Sequence, residues 1–354
     1  MEKQLLVKSE NKPLLVIIDG SSMLSTAYYA LLPAEIKRQK DDELKKMFYH
    51  KVMQARDGTF TNAVYGMSGT LIRILKDAKP DYIAVVFDKT RDTFRRKIYL
   101  EYKAQRKETP EPLKSQFGLM QQILNDMGIA MLVDEHYEAD DLAGSLTEKF
   151  MEQTRIRLIT KDRDYLQLVD DVDDVRCWVP ADIEKTAEFF SRYSKAYGSA
   201  GISVPDSITN MMDFIEECVV GEKGVYPRNI PDLKGIEGDA SDNIPGVRGV
   251  SSAAAPLIMQ YGNLDQLIRA IEACQTEKEE KELITFWKDS LGIKRSPLRA
   301  LKEQKEIAVM SKRLATICRD IDLDVELDDL SVSNVSAVAF NKWMTRLDIK
   351  TISM

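Results

Sequence analysis

Histidine and cysteine are scarce in this chain, with two and four among 354 residues. The cysteines, Cys177, Cys218, Cys274 and Cys318, stand far apart and form no Cys-x-x-Cys pair, which argues against structural zinc. His50 and His136 do not build a zinc site by themselves. Reduced, partly buried thiols are the ordinary reading. No apolar run approaches the roughly 20 residues that a membrane span needs. Met1-Glu2-Lys3-Gln4 lacks the basic-then-apolar pattern of a secretory signal. A cytoplasmic location without a membrane partner is therefore expected. There is no internal repeat and no low-complexity tract.

What is present is ordinary for a globular protein: 44% apolar and 30% charged residues. The length suits one large domain or two intimate ones. A net charge of −7 argues at first against nucleic acid. The distribution reverses that reading. Arg91 to Lys107 carries seven basic residues (Arg91, Arg95, Arg96, Lys97, Lys103, Arg106, Lys107) against Asp92 and Glu101. A local basic segment matters more for phosphate binding than the sum.

The acids are clustered as well. Nine carboxylates fall in five segments: Asp19; Asp88; Glu138, Asp140 and Asp141; Asp162 and Asp164; Asp239 and Asp242. Three of the segments end apolar runs, Leu14–Ile18, Tyr82–Phe87 and Arg157–Thr160. The alternation of such runs with amphipathic stretches predicts helices near 21–31, 63–77, 115–127 and 139–152. It predicts strands at 14–18, 82–87, 130–133 and 156–160. The expected fold is α/β, a mostly parallel sheet flanked by helices, with a helical second half. Ligands of such sheets sit beyond the carboxyl ends of the strands, where Asp19, Asp88, Asp162 and Asp164 fall.

The expected organisation is a metal-binding core at 14–180, including an arch at 89–113, and a helical DNA-binding region at 205–330 with a hairpin near 238–262. Residues 35–56 and 181–224 read as insertions. In the first, Leu44, Met47, Phe48 and Val52 keep helical spacing and predict a surface helix packed on the body. The second is read as helices with a mobile turn at Gly198–Gly201. Leu323–Leu330 alternates and predicts an edge strand.

Folding that gathers like charges needs cations to hold them. Carboxylate oxygens without histidine or cysteine suit Mg2+, with Mn2+ as a substitute. Two such ions about 4 Å apart activate water and stabilise the leaving oxygen of a phosphodiester. One strand-end aspartate often merely caps the next helix; several placed clusters together point to a metal centre. In the basic segment, Tyr99, Tyr102, Lys103 and Arg106 would share a face if the segment is helical. Arginine and lysine hold phosphate, and tyrosine stacks on an unpaired base. The bland reading of this run is an exposed helix with surface salt bridges. Gly246-Val247-Arg248-Gly249-Val250 resembles half of a helix-hairpin-helix, whose glycines admit a DNA phosphate to backbone N–H groups.

Together these residues resemble the 5′-nuclease (flap endonuclease) family, and most of all the bacterial 5′→3′ exonuclease domain at the front of DNA polymerase I. The matching signatures are Ile18-Asp19-Gly20-Ser21-Ser22, Thr61-Asn62-Ala63-Val64-Tyr65-Gly66, Val86-Phe87-Asp88, Tyr102-Lys103-x-x-Arg106, Glu138-Ala139-Asp140-Asp141, Thr160-Lys161-Asp162-Arg163-Asp164, and Gly238-Asp239-x-Ser241-Asp242-Asn243-Ile244-Pro245-Gly246. The resemblance implies a PIN-like nuclease core followed by a helix-hairpin-helix-type half. It implies that the nine acids hold the metals, directly or through water. Asp140 and Asp141, with Lys103 and Arg106, would serve catalysis, the latter two at the scissile phosphate. Arg95 would support the arch, Tyr102 would stack, and both, with Lys103, Arg106, Gly246, Arg248 and Gly249, would contact DNA. It implies a bacterial-type, nucleoid-associated monomer that cuts 5′ flaps and 5′ ends and removes RNA primers, with a fused or separate polymerase as partner.

One departure stands out. The family usually reads Gly-Val-Gly-x-Lys-Thr-Ala at the hairpin, where this chain reads Gly249-Val250-Ser251-Ser252-Ala253-Ala254-Ala255. Close backbone approach to duplex phosphate, and a K+ ion there, are not expected; weaker duplex binding with the chemistry retained is. Two rival readings are a non-catalytic flap or junction binder and a metal-dependent ribonuclease. The intact acids speak against the first, and the Tyr102–Arg106 and Asp239–Gly246 segments against the second.

Overall fold

The computed structural model describes residues 12–202 and 210–354. Its frame is a six-stranded sheet in the order β3-β2-β1-β4-β5-β6, parallel except for the antiparallel β5–β6 pair. The strands are β1 (Leu14–Asp19), β2 (Tyr82–Asp88), β3 (Ala130–Asp134), β4 (Arg155–Ile159), β5 (Val175–Pro180) and β6 (Met211–Phe214). Every residue of β1 is buried, as the unbroken apolar run requires of a central parallel strand. Successive side chains of a strand point to opposite faces. Leu15 and Ile17 accordingly enter one apolar core, and Leu14, Val16 and Ile18 the other.

The second face is covered by α1 (Gly20–Ala30), α2 (Asn62–Asp77), α4 (Glu111–Asp126) and α14 (Ala337–Arg346). Between α2 and α4 the chain makes β2 and a short helix, α3 (Phe94–Ile98). The first face is covered by α5 (Ala139–Phe150) and by the helical second half. That half comprises α6 (Ile183–Ala200), α7 (Glu216–Lys223), α8 (Ile230–Glu237), α9 (Ala254–Tyr261), α10 (Leu264–Ala273), α11 (Glu277–Leu291), α12 (Leu298–Glu303) and α13 (Lys305–Ala315). One apolar cluster runs from Leu15 in β1 through Val247 and Leu257 to Trp287 in α11. No helix among the described residues is long and apolar enough to cross a membrane.

The four strands and four helices that the periodicity predicts in the first half are present; β5, which follows them, is not among the predicted strands. Three expectations fail. Residues 35–56 do not form one helix but two short ones, Ala34–Lys37 and Asp42–Lys46, and a tight turn at Tyr49–Lys51. Asp41 caps the second with hydrogen bonds from the amides of Glu43 and Leu44, which restarts the helix rather than continuing it. Leu44 and Met47 are left exposed while Val52 is buried. Leu323–Leu330 is not an edge strand. It runs into a helical turn, Leu327–Leu330, capped reciprocally by Glu326 and Asp329. The basic segment 91–107 meets the condition of being helical only over α3; Leu100–Gln105 are turns.

In 181–224, a single helix, α6, passes through Gly198 and ends at Gly201 in the left-handed conformation. The chain returns as β6, which joins the sheet beside β5. Residues 203–209, which include the expected start of the second region at 205, lie outside the described residues.

Candidate metal centre and basic arch

The strand order changes direction at β1, between β2 and β4. The crevice beyond the carboxyl ends there is where a doubly wound sheet binds its ligand. Asp19 ends β1 and Asp88 ends β2; Asp162 follows β4 by three residues. A cleft of about 1110 Å³ opens at this point, lined among others by Asp19, Asp88, Glu138 and Asp162, and by Lys103 and Arg106 of the arch. Arg91, Lys114 and Lys161 add positive charge to its wall.

Local hydrogen bonds place the acids. Asp19 caps α1, accepting from the Ser22 amide at 2.8 Å, and its other oxygen accepts from Thr160 Oγ1 at 2.7 Å. Asp88 accepts from the amide of Ala139 at 2.9 Å, which ties β2 to the start of α5. Asp162 accepts from the Asp164 amide at 2.9 Å. Glu138 and Asp141 form a reciprocal capping box at the start of α5. Gly238 and Gly246 face each other across the turn that carries Asp239 and Asp242; both have positive φ, and a Cβ on either would run into the other's backbone or its neighbours. Paired bonds between Asp239 and Ile244 close that turn at 2.8 and 2.9 Å.

The basic side chains are inside this cluster, not beside it. Lys103 Nζ lies 2.6 Å from Glu138 and 3.5 Å from Asp242. Arg106 reaches Asp242 at 2.5 Å. Arg95, expected among the DNA contacts, is buried; it forks onto Asp141 at 2.6 and 2.7 Å and donates to the carbonyls of Leu314 and Thr316. Asp141 also accepts from the Cys318 amide at 2.8 Å, so its oxygens serve the fold. Tyr102, expected to stack on a base, is buried with its hydroxyl 3.2 Å from both Glu138 and Asp242. Lys103 adopts a left-handed backbone (φ 54°), where its amide donates to the Asp242 carbonyl. A non-glycine residue held so costs roughly 1–3 kcal/mol, a strain typical of functional positions.

The electrostatics divide the acids. Burial, then Asp88, pushes Asp19 up to about 7. Poor solvation in the cleft, then Asp164, raises Asp162 to about 6, although the residue has an exposed surface. Burial lifts Asp140 well above the usual carboxylate range against the pull of Arg95. Glu138 goes the other way: burial opposes, but Lys103 and Arg95 hold it below its ordinary value. Asp239 is likewise held down at about 2 by Lys234 and Ser241 despite its burial.

As they stand, no three acidic, histidine or cysteine side chains among the described residues converge tightly enough to hold an ion. The donor chemistry nevertheless fits a hard divalent cation. The set is all carboxylate, and burial lifts Asp19, Asp140 and Asp162 above the ordinary carboxylate range, a cost that a bound cation would offset. The sequence reading missed Thr160, which orients Asp19, and Lys234, which binds Asp164 and Asp239. Thr160 stands two residues before Asp162, which could have flagged it. A single lysine on an amphipathic helix gives no such sign.

At the hairpin, the Gly246 amide donates to Ser311 Oγ and the Arg248 amide to Gln304 Oε1. Two of the three hairpin residues expected at DNA, Gly246 and Arg248, thus have their N–H groups already bonded within the protein. Gly249 faces open space with φ 84°. Ala253, where the family usually has lysine, is 5% exposed and packed in the first core. A lysine there would drive an ammonium into apolar surroundings.

Two family models match the chain: 5′-3′ exonuclease, N-terminal resolvase-like domain, over residues 14–197, and 5′-3′ exonuclease, C-terminal SAM fold, over residues 225–337. The DNA polymerase I of Caldicellulosiruptor bescii is 31% identical over 340 residues, 96% of this chain and 33% of that protein. This chain therefore spans about a third of that relative's length. The 5′-3′ exonuclease of Aquifex aeolicus is 28% identical, covering 96% of this chain and 93% of its own. Among solved structures, T5 5′-exonuclease with divalent metal ions (zinc) bound superposes with a TM-score of 0.54 at 18% identity, over 95% of this chain and 99% of its own. That likeness shows the fold.

Proposed function

Because the chain belongs to the 5′-3′ exonuclease family through both its resolvase-like and its SAM-fold parts, we propose that it is a divalent-cation-dependent nuclease that hydrolyses DNA phosphodiesters at 5′ ends and 5′ flaps. The observation that carries the reading is the meeting of strand-end acids and arch cations in one cleft at the sheet's switch point. Asp19, Asp88, Asp140 and Asp162 would hold one Mg2+ ion, and Asp164, Asp239 and Asp242 a second. Such ions supply an activated water and neutralise the charge on the leaving oxygen.

The protein's own side chains do the rest. Lys103 and Arg106, released from Glu138 and Asp242, clamp the scissile phosphate and offset the charge that develops on it. Arg95 holds Asp141, and through it the start of α5, so that Asp140 faces the reacting centre. Tyr102 leaves its carboxylate partners to stack on the terminal base. The basic arch admits a single-stranded 5′ end. Removal of lagging-strand primers and repair flaps beside a polymerase is the cellular role that suits this activity, in the cytoplasm and as a monomer.

The test is cleavage of a 5′-labelled DNA flap in Mg2+, in EDTA, and by Asp140→Asn. Asp140 is chosen without Asp141 because Asp141 is part of the fold's ion pair with Arg95. Metal-dependent cutting near the junction, lost in the variant with DNA binding kept, is the expected result. Tight flap binding with no cutting by the native protein would make it a binder instead.

A further inference from the structure

Lys234 lies on α8, in the helical half, and its ammonium bonds Asp164 from the core and Asp239 from the glycine-framed turn. The three side chains are only 12, 14 and 17% exposed. Lys103 and Arg106 differ in kind. They belong to the arch and line the open cleft. Lys234 is not on that lining. Its helix is anchored on both sides, with Leu233 and Ile236 in the first core and Gly235 against Ala308 and Lys312 of α13. Asp19, Asp88 and Asp162, by contrast, form no ion pair among the described residues.

We propose that Lys234 is a resident counter-cation at the second metal position. In the metal-free protein it holds Asp164 and Asp239 together across the two halves of the chain. A divalent ion must take both carboxylates from it, whereas the ion at Asp19, Asp88, Asp140 and Asp162 displaces no side-chain cation from three of its four acids. The two ions therefore bind unequally, and Lys234 sets the gap. This rests on the metal-dependent reading above.

The experiment is a titration of the full chain with Mn2+ alone, without DNA, with free Mn2+ read by electron paramagnetic resonance. The native protein should take one ion tightly and a second more weakly. In Lys234→Met the weaker site should tighten about tenfold or more, the scale expected when one unit of opposing charge is removed from a partly buried site. Lys234→Arg should leave it weak. In EDTA, Lys234→Met should melt below the native protein, and Mn2+ should raise its melting temperature further than it raises the native one. Should the methionine variant not fold, Lys234→Gln carries the same expectation, since it removes the charge and keeps a hydrogen-bond donor. Native protein that binds no Mn2+ overturns the metal reading itself. Two native sites unchanged by Lys234→Met or Lys234→Gln leave that reading standing and overturn the role of Lys234. Unchanged Mn2+ binding with lost affinity for DNA would make Lys234 a phosphate contact and also overturn it.

Discussion

Two sides of one acid cluster behave in opposite ways. On the side of β1 and β4, Asp19 and Asp162 are pushed up to about 7 and about 6. On the side of α5 and the Gly238–Gly246 turn, Glu138 is held down and Asp239 sits at about 2. Burial opposes ionisation on both sides. Glu138 and Asp239 have basic partners in contact that outweigh it, while Asp19 and Asp162 have none among the described residues and Asp140 meets Arg95 only at 4.0 Å. The first side is short of positive charge that the protein does not supply. The second is already neutralised by Lys103, Arg106 and Lys234. On the function proposed above, a cation would supply the charge that one side lacks and compete for the acids of the other.

The largest way to break this contrast is to take a partner from the neutralised side. Arg95→Met leaves Asp141 buried and unpaired, and should cost about 3–5 kcal/mol, measured by urea unfolding in EDTA. An unchanged midpoint would mean that Asp141 is satisfied by backbone amides alone. The opposite side is probed with pH. Folded Asp19 keeps a proton that the unfolded chain has released, so the metal-free protein binds more protons folded than unfolded between about pH 4 and pH 7. Asp19 therefore lowers stability as pH rises through that window, and Asp19→Asn should remove a loss on the order of 4 kcal/mol. Saturating Mg2+ should also flatten the slope; a slope indifferent to both would place the metal elsewhere.

Lys103→Ala asks whether a cation of the neutralised side has a second task. Single-turnover cleavage should slow by about a hundredfold, the scale of one lost charge-stabilising donor, with a much smaller loss of affinity. Equal losses would reduce Lys103 to a general DNA contact. The smallest effect belongs to exposed Arg248 on the hairpin. Arg248→Ala should weaken flap binding alike for all sequences and lower the salt slope by about 1; an unchanged slope would remove the hairpin from the interface.

The first half of the fold was legible because β1, β2 and β3 are apolar runs that end in aspartate and β4 is followed by Asp162 at three residues. β6 escaped notice because its Asp213 reads as a turn residue. It is buried there only because Arg176 and the Trp178 indole bond it. The surface helix expected at 35–56 failed because spacing alone does not register a restart at Asp41. The site was legible as a set of acids but not as an electrical arrangement. Sequence spacing says nothing of Arg95 turning inward, of Tyr102 buried between two carboxylates, or of a lysine 70 positions from Asp164 bonding to it.

The apolar cluster that joins Leu15 to Trp287 has a calorimetric meaning. The resolvase-like and SAM-fold parts share their interior, so neither can loosen without opening the other. Heat should melt the chain in a single endotherm, with the whole enthalpy in one peak. By the same token, a load placed on the SAM-fold part has no soft joint in which to dissipate, and it reaches the strand ends that carry the acids.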